Sequence, residues 1–121
     1  MTSILTVDDS ASIRQAIKIA LVTEGYQVTE AANGAEGLTK AGAGGFDLII
    51  TDLNMPVMDG LTMIKSLRAK PGQAGVPILF LTTESDADLK AEARAAGATG
   101  WLTKPFQPDQ LLRVVKKVLA S

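Results

Sequence analysis

Short apolar runs alternate with longer amphipathic stretches along this chain. Ile4-Leu-Thr-Val7 reads as a strand, and after it Ile13, Ala16, Ile17, Ala20 and Leu21 share one face at helical spacing, closed by Gly25. Tyr26 to Ala31 is a second strand candidate, and the Asn33-Gly34 turn opens a small-residue helix around Ala35 to Ala43 that stops at Gly44-Gly45. Phe46 to Thr51 is a third strand, followed by a helix from Gly60 to Ala69 with Leu61, Ile64 and Leu67 inward. Val76 to Thr82 is almost continuously apolar, as expected of a strand covered on both faces. Residues 84–96 suggest an Ala- and charge-rich helix stopped at Gly97, and Gly100 to Thr103 a short strand. The last helix, Pro108 to Ala120, aligns Leu111, Leu112, Val115, Val118 and Leu119, with Asp109 near its start and Lys116 and Lys117 near its end, as the helix dipole favours.

Five strands alternating with five helices predict an α/β domain: a doubly wound, five-stranded parallel sheet with helices on both faces and right-handed crossovers. No linker, low-complexity tract or internal repeat interrupts the alternation, so residues 1–121 are expected to form one domain.

Composition narrows the chemistry. With no Cys and no His, thiolate sites, disulfides and the usual general base are excluded, and any metal must be a hard cation on oxygen ligands. A net charge of −1 gives no general pull toward nucleic acid or an acidic membrane. No signal peptide or membrane span is read in the chain, and a soluble cytoplasmic monomer is the expectation.

Ligands of an open α/β sheet bind beyond the carboxyl ends of its strands. Those ends carry Asp8-Asp9, Asp52, Thr82-Thr83 and Lys104-Pro105, while the second strand offers only Ala31-Ala32-Asn33. Three carboxylates converging on one edge repel one another, by roughly 4 kcal/mol per pair about 4 Å apart at an effective dielectric near 20. Lys104 offsets one charge, and a hydrated divalent ion, Mg²⁺ or alternatively Mn²⁺, offsets the rest. An ionised Asp52 is already a nucleophile toward phosphorus, so the lack of His is no obstacle. The metal and Lys104 would neutralise the equatorial phosphoryl oxygens, while Thr82 and backbone N–H groups hydrogen-bond to them.

Asp8-Asp9, the block Asp52-Leu-Asn-Met-Pro-Val-Met-Asp-Gly60, Thr82 and Lys104-Pro-Phe106 together resemble the signature of response-regulator receiver domains, in order and across the whole chain. The pattern is most similar to single-domain regulators of the chemotaxis CheY type. That resemblance implies a flavodoxin-like (CheY-like) strand order 2-1-3-4-5. It makes Asp52 the phospho-acceptor, with Asp9, Asp52 and the Asn54 backbone carbonyl as direct Mg²⁺ ligands and Asp8 acting through water. It implies that Thr82 and Lys104 contact the phosphoryl group, that Trp101 turns inward when Thr82 moves, that Asn54 and Glu84 tune phosphoryl lifetime, and that the Lys104–Pro105 bond is cis. The protein would be a two-component switch rather than a turnover enzyme, with metal-assisted self-dephosphorylation. A CheA-like sensor histidine kinase would be the donor. The surface of residues 84–120 would act on a flagellar motor switch protein or another output protein, with no nucleic acid or membrane as partner.

Other readings stay beside this one. Asp8 and Asp9 could open a helix, although Ser10 or Ser12 could cap it instead. Asp59-Gly60 reads as turn chemistry and a helix start, Met55, Met58 and Met63 as packing residues, and Trp101 could be ordinary core. A phosphorelay intermediate handing its phosphoryl group to another His domain is the alternative function. A flavin-type cofactor binder is disfavoured because Asp8-Asp9 would repel phosphate after the first strand. A phosphatase with an Asp nucleophile resembling the haloacid dehalogenases would carry a second acid where Asn54 stands. A receiver-shaped module that never takes phosphate would more readily have lost Asp9, Asp52 or Lys104.

Overall fold

The computed structural model describes residues 2–53, 55, 57–70, 75–82 and 87–120. In chain order the elements are β1 (Ser3–Val7), α1 (Ala11–Thr23), β2 (Gln27–Ala31), α2 (Gly34–Gly42), β3 (Leu48–Asp52), α3 (Gly60–Arg68), β4 (Ile78–Thr82), α4 (Ala87–Ala95), β5 (Gly100–Thr103) and α5 (Pro108–Leu119). All strand pairs are parallel and the sheet order is β2-β1-β3-β4-β5, the doubly wound arrangement that the alternation predicts.

Because side chains alternate across a strand, the sheet feeds two separate cores. Leu5, Val7, Ile49, Ile78 and Phe80 face one way and pack with Met63, Ile64 and Leu67 of α3 and Ala93 of α4. Ile4, Leu48, Ile50, Leu79 and Leu81 face the other way, against Ile17 and Leu21 of α1 and Leu111 and Val115 of α5. The three inner strands are therefore buried on both faces, β3 and β4 along their whole length.

Several local details depart from the sequence pattern by a residue or two. β3 starts at Leu48 and ends on Asp52 itself, while Asp47 just before it is tied twice to Ser3: its N–H donates to the Ser3 carbonyl at 2.8 Å and its carboxylate accepts from the Ser3 N–H at 2.8 Å. Ala16 of α1 is exposed, so the buried face is carried by Ile17 and Leu21 with Ile13 and Ala20 at its margin. On α3 the deepest residues are Met63, Ile64 and Leu67, with Leu61 only partly buried. Ser10, not Ser12, caps α1: its Oγ accepts from the Ile13 N–H at 3.3 Å. Asn33 caps α2 and Asp59 caps α3 in the same way. Of the helix expected over residues 84–96, α4 covers Ala87–Ala95, and residues 84–86 lie outside the described residues.

Candidate functional site

Register builds the site. Val7 pairs with Thr51 across β1 and β3, so the next residues, Asp8 and Asp52, emerge side by side at the carboxyl edge of the sheet. Asp52 pairs with Leu81 and Thr82 with Thr103, which brings Thr82 and then Lys104 to the same edge. β2 ends at Ala31, paired with Val7, and contributes no acid there.

One carboxylate oxygen from each of Asp8, Asp9 and Asp52 lies within 4.8 Å of the others. Asp8 is fully buried and both its oxygens are occupied: Oδ1 accepts from the Ser10 N–H at 2.9 Å and Oδ2 from Lys104 Nζ at 3.0 Å. Asp52, 7% exposed, accepts from the Leu53 N–H at 2.8 Å through Oδ1, and its Oδ2 lies 3.3 Å from Lys104 Nζ. Asp9 sits exposed at the rim, and among the described residues its carboxylate has no hydrogen-bond or ion-pair partner.

One ammonium against three ionised carboxylates leaves a double negative charge at this edge, which one divalent cation would balance. The donors are all oxygens, one of them open to solvent, which suits a hard ion that keeps part of its water shell. Burial pushes the Asp52 carboxyl above the usual carboxylate range. The Lys104 charge opposes that shift and the Asp8 charge reinforces it, while hydrogen bonds from Lys104 and the Leu53 N–H pull back toward the ionised form.

The start of α3 packs tightly against Asp52 and Leu53. The Gly60 N–H donates to the Leu53 carbonyl at 3.0 Å, and a Cβ at Gly60 would stand 2.0 Å from the Asp52 carbonyl oxygen, a backbone atom that cannot step aside. Only glycine fits there. Met55 and Met58 are partly buried against the core and Met63 is fully buried, so the methionines pack. Asn54, expected to offer its carbonyl and to tune lifetime, and Glu84 lie outside the described residues, as does Thr83.

On the other side of the site, Thr82 is fully buried and its carbonyl accepts from the Lys104 N–H at 2.8 Å. The Lys104–Pro105 peptide is cis. Trp101 pairs with Phe80 in register, and their ring centroids lie 6.2 Å apart. Its indole points outward, 36% exposed, with Lys90 Nζ 4.8 Å and the Arg94 guanidinium 5.3 Å from the ring centroid.

Sequence reading overlooked Arg14. Its guanidinium reaches back from α1, donating to the Asp8 carbonyl through Nη1 and to Glu30 on β2 through Nε at 3.2 Å. A signal was available: a cation in the opening turns of a helix is opposed by the dipole, so its presence calls for another partner.

Comparison with known proteins fits this geometry. Residues 4–116 match the response regulator receiver domain family. The transcriptional regulatory protein ResD of Bacillus subtilis is 36% identical over 98% of this chain, which covers 48% of ResD, and the chain spans about half the length of the curated relatives it matches. The chemotaxis protein CheY4 of Vibrio cholerae is similar in structure, with a TM-score of 0.93, 48% identity and 98% of each chain covered. The receiver domain of a sensor histidine kinase from Pseudomonas aeruginosa, solved with a magnesium ion coordinated in its active-site cleft, gives a TM-score of 0.91 at 30% identity over 99% of this chain and 98% of its own.

Proposed function

This chain belongs to the response regulator receiver domain family of two-component signalling, and on that premise we propose that Asp52 is its phospho-acceptor, with residues 1–121 acting as one receiver unit. The carrying observation is Lys104 Nζ standing within 3.0 Å of Asp8 and 3.3 Å of Asp52, beside the solvent-open Asp9.

Asp52 attacks the phosphorus of a phosphorylated donor through a carboxylate oxygen, the donor's bond to phosphorus breaks, and an acyl phosphate forms without a general base. Lys104 is placed to receive the negative charge of the transferred group as its ion pair with Asp52 is replaced. The buried Thr82 hydroxyl, at the end of the neighbouring strand, hydrogen-bonds a phosphoryl oxygen when it turns toward it. A bound Mg²⁺, or Mn²⁺ in its place, would supply positive charge to the phosphoryl oxygens. Asp9 and Asp52 would hold it directly along with the Asn54 carbonyl, while Asp8 would act through water, a division supported by the full occupation of both Asp8 oxygens.

Family membership implies a histidine kinase as donor and an output partner that distinguishes the two states. We assign the chain to chemotactic control, with a CheA-like kinase as donor and a flagellar motor switch protein as output. Its likeness to V. cholerae CheY4 over nearly the full length of both supports this. The surface of residues 84–120, including Trp101, would carry the signal, the indole leaving Lys90 and Arg94 to turn inward as Thr82 moves.

Acetyl phosphate with MgCl₂ tests the acceptor. Mass spectrometry is expected to find one phosphoryl group that hydroxylamine removes, and none on Asp52→Asn. Labelling of Asp52→Asn to the wild-type level would overturn the assignment. Transfer of the label to a histidine phosphotransfer domain, with no phosphorylation-dependent binding to a motor switch protein, would replace chemotaxis with a phosphorelay role.

A further inference from the structure

Asp8 is held at every polar atom it owns, and the holder of its carbonyl is a residue outside the acidic cluster. Its N–H continues the ladder to the Ala31 carbonyl at 3.1 Å, and its side chain is fixed by Ser10 and Lys104. Its carbonyl accepts from Arg14 Nη1 at 2.5 Å. That guanidinium is itself anchored, with Nε 3.2 Å from Glu30 Oε1, and the second Glu30 oxygen lies 3.7 Å from Lys18 Nζ. The Arg14 side chain is only 17% exposed, so these contacts are shielded from water on most sides.

The carbonyl that Arg14 grips belongs to the peptide unit joining Asp8 to Asp9. That unit is planar, so fixing its plane fixes the last dihedral of Asp8 and the first of Asp9. Those two angles aim the Asp9 Cα–Cβ bond. Asp9 has no partner of its own among the described residues, and among them its backbone is what sets where its carboxylate points.

We propose that Arg14, braced by Glu30, is a positioning residue for the metal site: through the Asp8 carbonyl it orients Asp9 for the divalent cation. The inference rests on the reading of Asp9 as a metal ligand. Groups that orient a metal ligand commonly set affinity as strongly as a weak ligand does.

Charge alone predicts the opposite sign. Removing a cation beside an acidic cluster should favour a divalent ion, whereas loss of positioning should weaken its binding. Calorimetric titration of the metal-free protein with MgCl₂ therefore discriminates. Arg14→Ala is expected to bind about tenfold more weakly, and to add nothing in an Asp9→Asn background, because both changes act through one ligand. Glu30→Gln, which still accepts from Nε, is expected to stay within about twofold of wild type. If a metal-free melt shows Arg14→Ala to be unfolded, Arg14→Gln carries the same expectation of weaker binding. Affinity that is unchanged or tighter in the folded Arg14 variant, or additive losses in the double variant, would overturn the inference while leaving Asp9 as a ligand. Unchanged affinity in Asp9→Asn would overturn the metal reading itself, and the inference with it.

Discussion

Lys104 serves two carboxylates at once, one of them completely enclosed. Its removal leaves Asp8 without the cation that offsets its desolvation, and breaking one side of such a buried pair costs on the order of 3 kcal/mol. Lys104→Ala is thus expected to lower the unfolding free energy of the metal-free protein, read from urea titration, by that amount, with MgCl₂ restoring part of the loss by supplying replacement charge. A midpoint equal to wild type would show that Lys104 is not the countercharge. Asp52 carries the site's pH dependence. Its carboxyl is raised by burial, so between the unfolded and folded values the folded state keeps a proton that the unfolded state has released. Its contribution to stability is therefore fully present below the unfolded carboxylate range and is lost as pH rises through the folded value. Without metal, Asp52→Asn should remove that decline, so that its gain over wild type is larger at pH 7 than at pH 4 in matched urea titrations.

At the scale of elements, the β3–α3 connection combines three constraints: Gly60 against the Asp52 carbonyl, Asp59 as helix cap, and Val57 with a φ of 70°. A β-branched residue in the left-handed region is strained, while its 83% exposure means that little packing offsets the cost. Val57→Asn should stabilise the protein by about 1 kcal/mol, because Asn tolerates that region. A melting temperature at or below wild type would argue against strain at this position. The same connection shows the reach of sequence reading. Asp59-Gly60 was legible as a helix start because capping is a local event within a few residues. The necessity for glycine was not, since it depends on how closely the chain doubles back onto Asp52. The bounds of β3, Leu48–Asp52 where the sequence pattern suggests Phe46 to Thr51, are likewise set by its pairing with β1 and β4.

For the molecule as a whole, the acidic edge is a place where folding and cation binding are coupled. A cation that binds only the folded state stabilises it by about 1.4 kcal/mol when present at ten times its dissociation constant. For a domain near this size that is a rise of roughly 5 °C in melting temperature. Differential scanning calorimetry with and without MgCl₂ should find it in wild type and not in Asp9→Ala; an equal rise in both would place the ion elsewhere. The two cores on opposite faces of the sheet give this edge a stiff support, since β3 and β4, which bear Asp52 and Thr82, are buried throughout. Among the described residues no helix is long and apolar enough to cross a membrane.

The sequence by itself determined the alternation of strands and helices, the inward faces, and the convergence of Asp8, Asp9, Asp52, Thr82 and Lys104 on one edge. Periodicity and the position of a residue at a strand end are local properties that any chain of this pattern must express. Tertiary structure decided what distinguishes the acids from one another. Asp8 and Asp9 are adjacent in the chain and alike in chemistry, yet one is enclosed by Lys104 and Ser10 while the other stands in solvent. It also decided that Arg14 and Glu30, sixteen positions apart, meet over the Asp8 carbonyl. The Lys104–Asp8 and Arg14–Glu30 contacts are long-range, fixed by strand register and helix docking, and the local pattern of residues does not name these partners.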